Sequence, residues 1–116
     1  MDSCNENKNV LDACMATNQK LSLLVEYAAD SIVSKTILDK SVGTITLFAF
    51  DKWQKLSEHT VPYDAVVQVI DGSAQLTIGG KEVKVFAGEI IVMPANVPHT
   101  VAAEENFKML LTMIRA

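Results

Sequence analysis

Apolar and polar residues follow a strand-like pattern along most of the chain. From residue 31 onward, short apolar or alternating runs are separated by turn residues about every 8–12 positions. The pattern predicts about nine strands: Ser31–Leu38, Thr44–Phe50, Glu58–Val61, Ala65–Ile70, Ala74–Ile78, Glu82–Phe86, Glu89–Met93, Pro98–Ala102 and Phe107–Arg115. Many short strands at this spacing are typical of an all-β sandwich or barrel.

Turn signals support this pattern. Asp71-Gly72 and Ala87-Gly88 each separate two predicted strands. Gly79-Gly80 lies between two alternating runs and predicts a tight hairpin with a two-residue turn, in which glycine accepts positive φ at both positions. The chain therefore returns on itself repeatedly within one small domain.

The first thirty residues have a different pattern. Residues 1–9 are polar and are expected to be mobile. The spacing of Val10, Leu11, Cys14 and Met15 predicts a short amphipathic helix capped by Asn9. The apolar stretch Leu21–Tyr27 is compatible with a helical turn or with an extended segment on the barrel wall. We therefore assign residues 1–20 to an N-terminal extension, partly disordered or helical, and residues 21–116 to the barrel.

Composition and charge narrow the function classes. The 116 residues are 49% hydrophobic and 21% charged, which is ordinary for a globular domain. A formal net charge of −4 disfavours a nucleic-acid partner, because no basic patch is available to neutralise phosphates. No apolar run is long enough to cross a membrane, and no secretory signal begins the chain. Cys4 and Cys14 are read as thiols in a reducing compartment, so we expect a cytoplasmic location.

His59 and His99 are the candidate chemical groups. They are 40 positions apart, too far to meet on one helix, but two barrel strands can bring them together. Because side chains alternate along a strand, His59 and Val61 are predicted to share one face, and Ala65 and Val67 another common face. If those faces line the interior, both imidazoles enter one cavity.

The sequence around these histidines resembles the cupins, whose barrels carry two short motifs, G-x5-H-x-H-x3-E-x6-G and G-x5-P-x-G-x2-H-x3-N. All ten motif positions align without a gap, and five keep the motif residue: His59, Gly72, Gly88, Pro94 and His99. The other five positions are occupied by Trp53, Val61, Ala65, Asn96 and Ala103. The resemblance implies a single jelly-roll barrel, the double-stranded β-helix, with a short N-terminal extension.

The resemblance also implies a possible cofactor. Its usual metal site has three histidines and one glutamate, and here Val61 and Ala65 stand at two of those four positions. His59 and His99 are the ligands that remain for a divalent zinc, nickel, iron or manganese ion. Glu58 and Asp64 adjoin ligand positions, but alternation directs them away from the cavity. A catalytic zinc normally has three protein ligands. A degenerate site is therefore expected.

We expect a small-molecule-binding cupin whose reaction the sequence does not assign. The predicted pocket comprises an apolar wall with two imidazoles and Tyr63 at its mouth: His59, Val61, Tyr63, Ala65, Val67, Met93 and His99. Such a mixture is usual for small-ligand sites. The alternatives are a metal-dependent oxygenase or isomerase, and a metal-free acid–base isomerase that uses the two histidines. Edge strands and surplus apolar surface in residues 20–50 predict a homodimer.

Overall fold

The structure is a computed structural model that describes residues 10–115. Helix α1 spans Val10–Cys14, and a 3-10 turn spans Leu21–Leu23. Nine strands follow in the described part of the chain: β1 Ile32–Lys40, β2 Gly43–Phe50, β3 Lys55–His59, β4 Ala65–Asp71, β5 Ser73–Ile78, β6 Lys81–Phe86, β7 Ile90–Met93, β8 His99–Ala102 and β9 Phe107–Ile114. The predictions for residues 1–9, including the Asn9 cap and the Cys4 thiol, lie outside the described residues.

The strands form two antiparallel sheets that pack into a jelly-roll barrel. One sheet has five strands in the order β1-β2-β9-β4-β7, and the other has four in the order β3-β8-β5-β6. The chain changes sheets at every connection except β1–β2 and β5–β6, so most neighbours in sequence are in different sheets. The predicted all-β barrel is confirmed.

The core lies between the two sheets and follows the alternation of each strand. Alternate residues of β4, among them Val67 and Val69, are buried, while Gln68 between them is exposed. The rings of Phe50 and Phe107 stack in this core with centroids 4.5 Å apart. Burying one such side chain contributes roughly 1.5–3 kcal/mol.

One predicted strand is wrong in its bounds. The sequence pattern places a strand at Glu58–Val61 and a polar connection before it, but β3 spans Lys55–His59 and Val61 follows it. This edge strand is polar, and Leu56 is its apolar contact with the core. Apolar and polar residues therefore alternate only weakly along β3. Backbone pairing with β8 determines where this strand begins. The other eight predicted strands agree within two residues at each end.

The glycine hairpin is as predicted. Ile78 pairs with Lys81 across Gly79 and Gly80, whose φ angles are 57° and 84°. Positive φ at both central residues is the geometry of a type I′ turn, whose twist suits a β-hairpin.

The N-terminal segment packs against the outer face of the five-stranded sheet. Val10 and Val25 are buried there against Leu47 and Ala49, which β2 directs outward. The predicted helix is present at Val10–Cys14, and the stretch after it contains one helical turn. Cys14 carries a free thiol. The segment thus covers one half of an apolar sheet face.

Polar contacts hold this segment in place. The Tyr27 hydroxyl donates to the Asp71 carboxylate at 2.5 Å, and Lys108 Nζ donates to the Ser22 carbonyl at 2.6 Å. The same ammonium lies 4.8 Å from the centre of the Tyr27 ring. Burial, followed by the hydrogen bond and the charge of Asp71, raises the pKa of Tyr27, so its hydroxyl stays a donor.

Candidate functional site

The two histidines meet at the register of two neighbouring strands. His59 ends β3, His99 begins β8, and the two residues are direct partners in the antiparallel pair. Their Nε2 atoms are 3.0 Å apart, and their rings meet edge to face with centroids 4.2 Å apart. His99 is 3% exposed, whereas His59 is exposed to solvent. The pair therefore leads from the surface into the barrel.

Backbone carbonyls orient both rings. The Nδ1 atom of His59 lies 2.9 Å from the Ser57 oxygen, and that of His99 lies 3.2 Å from the Val97 oxygen. A carbonyl only accepts, so each Nδ1 donates its hydrogen. Two neutral rings in this tautomer would point lone pairs at each other. A hydrogen between the two Nε2 atoms would satisfy the contact.

Burial distinguishes His99 from His59. Desolvation lowers the pKa of His99 and the charge of His59 lowers it further, while the Val97 carbonyl opposes both effects. Burial therefore favours the neutral form of His99.

A small cavity lies behind the imidazoles. Its volume is about 40 Å³, and about 10–15 Å³ suffices for one water on such a measure. It therefore holds a group of a few heavy atoms, such as a carboxylate or a carbonyl. The lining is almost wholly apolar and comes from both sheets: Phe48, Leu56, His59, Val61, Ala65, Met93, His99, Val101, Met109, Leu111 and Met113.

Five of the seven predicted pocket residues line this cavity: His59, Val61, Ala65, Met93 and His99. Val61 reaches it from the loop after β3, and not from the strand face on which the sequence analysis placed it. Val67 is buried in the core but is not among the lining residues. Tyr63 lines a separate depression on the outer side of the five-stranded sheet, with Asp64 and Val92.

The predicted pocket left out several lining residues on the strands opposite the histidines, although the sequence analysis reads Met109 and Met113 as core or cavity lining. Leu111 and Met113 of β9 face inward because they pair with the inward-facing Val67 and Ala65. Phe48 on β2 follows the same parity through its pairing with Met109. The signal that would identify them is the order of strands in the sheet, which local alternation does not contain.

Backbone angles give an independent check on the motif alignment. All four glycine positions of the two motifs have positive φ, although two of them are not glycine. Gly72 and Gly88 have φ values of 72° and 90°, while Trp53 and Asn96 have 73° and 65°. Non-glycine residues seldom adopt this conformation. The backbone thus keeps the motif geometry where the side chains have changed.

Comparison with known proteins identifies the family. A family model described as a cupin domain matches residues 47–115, which is more than half of the chain. The chain belongs to the cupin family. None of the curated proteins compared with this cupin matches it in sequence.

Solved structures support the assignment. A conserved protein of unknown function from Streptococcus pyogenes is 36% identical, with a TM-score of 0.83, over 87% of this chain and 89% of that one. A cupin 2 conserved barrel domain protein from Leptotrichia buccalis is 44% identical, with a TM-score of 0.78, over 80% of this chain and 45% of that one. A cupin superfamily protein from Desulfitobacterium hafniense is 23% identical, with a TM-score of 0.80, over 83% and 88% of the two chains, and this likeness concerns the fold alone.

The donor set of this cupin does not fit a resident metal ion. His59 and His99 are the nitrogen donors, but Val61 and Ala65, at the other two ligand positions, line the same cavity without a donor atom. Within residues 10–115, no three His, Cys, Asp or Glu side chains form a group that could hold a metal ion. Asp64 accepts from the Ala95 amide at 2.8 Å and shapes the loop after β7. Two imidazoles fall short of the three ligands usual at catalytic zinc.

The sequence analysis found no apolar run long enough to cross a membrane. In the structure, no helix in residues 10–115 is long and apolar enough to cross a bilayer.

Proposed function

We propose that this cupin binds a compact, largely apolar small molecule through one carbonyl or anionic group placed at the His59–His99 pair. The main observation behind this proposal is that the two Nε2 atoms lie 3.0 Å apart at a cavity whose other lining residues are apolar. An apolar wall with few convergent polar groups is the usual composition of a ligand site.

The pair supplies the polar groups for this role. Each imidazole is oriented by a backbone carbonyl, so little conformational freedom is lost when a ligand arrives. An N–H hydrogen of the pair that points into the cavity would bind an anion or a carbonyl oxygen more strongly than it would in water, because the surroundings have a low dielectric constant. The small volume restricts the part of the ligand that enters to a few atoms. The remainder would extend past the exposed His59.

Binding is tested with a probe series of short straight-chain carboxylates and methyl ketones, and primary alcohols of equal length serve as the control series. Imidazole 15N and methionine methyl resonances are recorded during each titration. We expect saturable shifts for carboxylates or ketones and weaker effects for alcohols. His59→Gln and His99→Gln should each abolish the response, and Lys55→Gln, at an exposed position of the same strand β3, should preserve it. If no member of the series shifts either imidazole, the proposal fails.

A second candidate function is metal-free acid–base isomerisation. The specific observation is that the exposed His59 is hydrogen-bonded to the buried His99, which connects solvent protons with the cavity. Histidine transfers protons near neutral pH. Incubating a bound ketone or carboxylate in deuterated water tests this candidate. The isomerase function is supported if the hydrogens next to the carbonyl exchange with solvent and if this exchange is lost in His99→Gln. If the probe binds but its hydrogens do not exchange, the protein binds the molecule without catalysing proton transfer.

A further inference from the structure

The cavity wall in the five-stranded sheet contains a row of three residues of unequal size. Ala65 on β4 is the direct partner of Met93 on β7 and of Met113 on β9, and all three line the cavity. Directly paired residues of neighbouring strands share one face of the sheet. The short Ala65 side chain therefore lies between two long thioether side chains. We call the recess above it, between the two methionines, the Ala65 notch.

Packing limits the space in the Ala65 notch. Ala65 is 2% exposed and Met93 is 3% exposed, so both side chains are enclosed by the core. Met113 is half-buried and also lines a depression of about 280 Å³ beside the turn between β1 and β2. Its side chain lies between that depression and the cavity, so it closes the notch at this end.

Polar groups are present on one side of the cavity only. The imidazoles of His59 and His99 belong to the four-stranded sheet, and the described lining residues include neither lysine nor arginine. Burial favours the neutral form of His99. A carboxylate would therefore meet no fixed opposite charge, and burying an unpaired charge is costly. A neutral carbonyl oxygen is satisfied by one N–H donor, so a ketone suits this cavity better than a carboxylate.

The volume indicates which part of a ketone enters. About 10–15 Å³ suffices for one water, so the cavity of about 40 Å³ has room for roughly three groups of that size. An acetyl end consists of a methyl group, a carbon and an oxygen and has this size. With its oxygen at the imidazoles, its methyl group lies toward the opposite sheet. The remainder of the molecule then leaves the cavity past the exposed His59.

We infer that the cavity selects a neutral methyl ketone, with the carbonyl oxygen at the His59–His99 pair and the methyl group in the Ala65 notch. The ligand class rests on the function proposed above and narrows its carbonyl or anionic group to one kind. Ala65 and Met113 are then specificity-determining residues. Ala65 leaves room for the methyl group, and Met113 obstructs any longer alkyl group on the same side of the carbonyl.

Isomeric octanones test the size limit on the parent protein, because they contain the same atoms and differ only in the position of the carbonyl. The short side is methyl in 2-octanone, ethyl in 3-octanone and propyl in 4-octanone. Affinities are measured from imidazole 15N shifts at about pH 7.5. We expect affinity to fall in this order, with 2-octanone at least about tenfold tighter than 4-octanone, since one methylene in an apolar pocket changes binding about 10–200-fold. Octanoate should bind at least about tenfold more weakly than 2-octanone.

Two variants test the residues of the notch. Ala65→Val fills the notch and should weaken the binding of 2-octanone about tenfold. Met113→Ala opens the notch and should remove the preference for 2-octanone over 4-octanone. Met15→Ala makes the same change at a methionine that is 60% exposed and should leave the order of the octanones unchanged. Thermal melting verifies that each variant is folded.

The outcomes distinguish the ligand class from the function on which it rests. Equal affinities of the octanones, or tighter binding of octanoate than of 2-octanone, would overturn the methyl ketone, although binding at the histidines would remain. An octanone order that Met113→Ala leaves unchanged would overturn the role of the Ala65 notch. If neither a ketone nor a carboxylate shifts the imidazole resonances, the proposed binding function fails as well.

Discussion

The Nε2 atoms of His59 and His99 are 3.0 Å apart, although 40 residues separate them in the chain. Each ring is held from behind by a carbonyl two residues earlier, which leaves the Nε2 atoms to interact with each other. In a complete four-ligand site of this family such nitrogens would be directed to a metal. Here the two Nε2 atoms contact each other. The consequences of this contact can be measured in pH dependence, in metal binding and in stability.

Stability should fall as the pH is lowered below about 6.5. Burial lowers the pKa of His99 from its ordinary value of 6.5; the Val97 carbonyl opposes this shift, and the charge of His59 adds to it. The unfolded chain therefore takes up this proton at a higher pH than the folded chain, so stability is complete above 6.5 and is lost as the pH falls through the folded value. Urea unfolding at about pH 7.5, 6.5 and 5.5 measures the slope. His99→Gln should flatten it, and an NMR midpoint of His99 above 6.5 would contradict the assignment.

Restoring the two lost ligands should create a metal site. Val61 and Ala65 line the same cavity as both histidines, so Val61→His with Ala65→Glu would bring four donors together. Without metal the variant should be less stable than the parent, because a buried carboxylate without a partner is costly. Zinc or nickel should recover that stability and raise the melting temperature. The two single variants are controls and should respond less. A folded double variant with no added metal affinity would show that the motif alignment is wrong.

Trp53→Gly should not destabilise the protein and is expected to stabilise it by about 1 kcal/mol, because Trp53 has φ of 73° at a motif glycine position. The side chain is 71% exposed, so little packing is lost, although Lys52 Nζ lies 5.0 Å from the ring centre. Trp53→Ala removes the same ring but keeps the strained backbone, and it should bring no gain. A stability of Trp53→Gly below that of Trp53→Ala would disprove the strain argument. Urea denaturation compares the three proteins.

Gly72 and Gly80 offer a matched pair, since both have positive φ, 72° and 84°. A β-carbon at Gly72 would overlap the carbonyl oxygen of Asn106, whereas one at Gly80 meets nothing within 4 Å. Gly80→Ala should therefore cost about 1 kcal/mol from backbone strain. Gly72→Ala should cost about 3 kcal/mol or more, because backbone atoms must also move. Equal melting temperatures would contradict the close packing of the chain where it crosses between sheets.

Much of the fold could be predicted because its strands are short and amphipathic and its turns carry glycine. Alternation located eight strands, and the motif alignment paired His59 with His99. Strand β3 was misplaced because an edge strand with one core contact, Leu56, carries little alternation. The local sequence pattern does not show that β2 pairs with β9, nor which cavity residues this pairing supplies. Both depend on contacts between residues that are about sixty positions apart in the chain.

The outer surfaces were the least predictable part. Tyr63 was expected at the pocket mouth, but it lies on the outer side of the five-stranded sheet, because the loop after β3 turns outward before Asp64. The docking of the N-terminal segment rests on Lys108, whose burial could not be inferred from a charged residue within an apolar run. Whether a charged side chain is buried depends on what packs above it, and that segment is far away in sequence.

The metal content of the purified protein tests most directly the claim that the two histidines serve a ligand and do not hold a resident metal. Elemental analysis after dialysis against metal-free buffer should give far less than one equivalent of zinc, nickel, iron or manganese. His59→Ala and His99→Ala should leave that low content unchanged. One equivalent that survives dialysis in the parent protein and disappears in either variant would contradict the account, since the pair would then be a metal site.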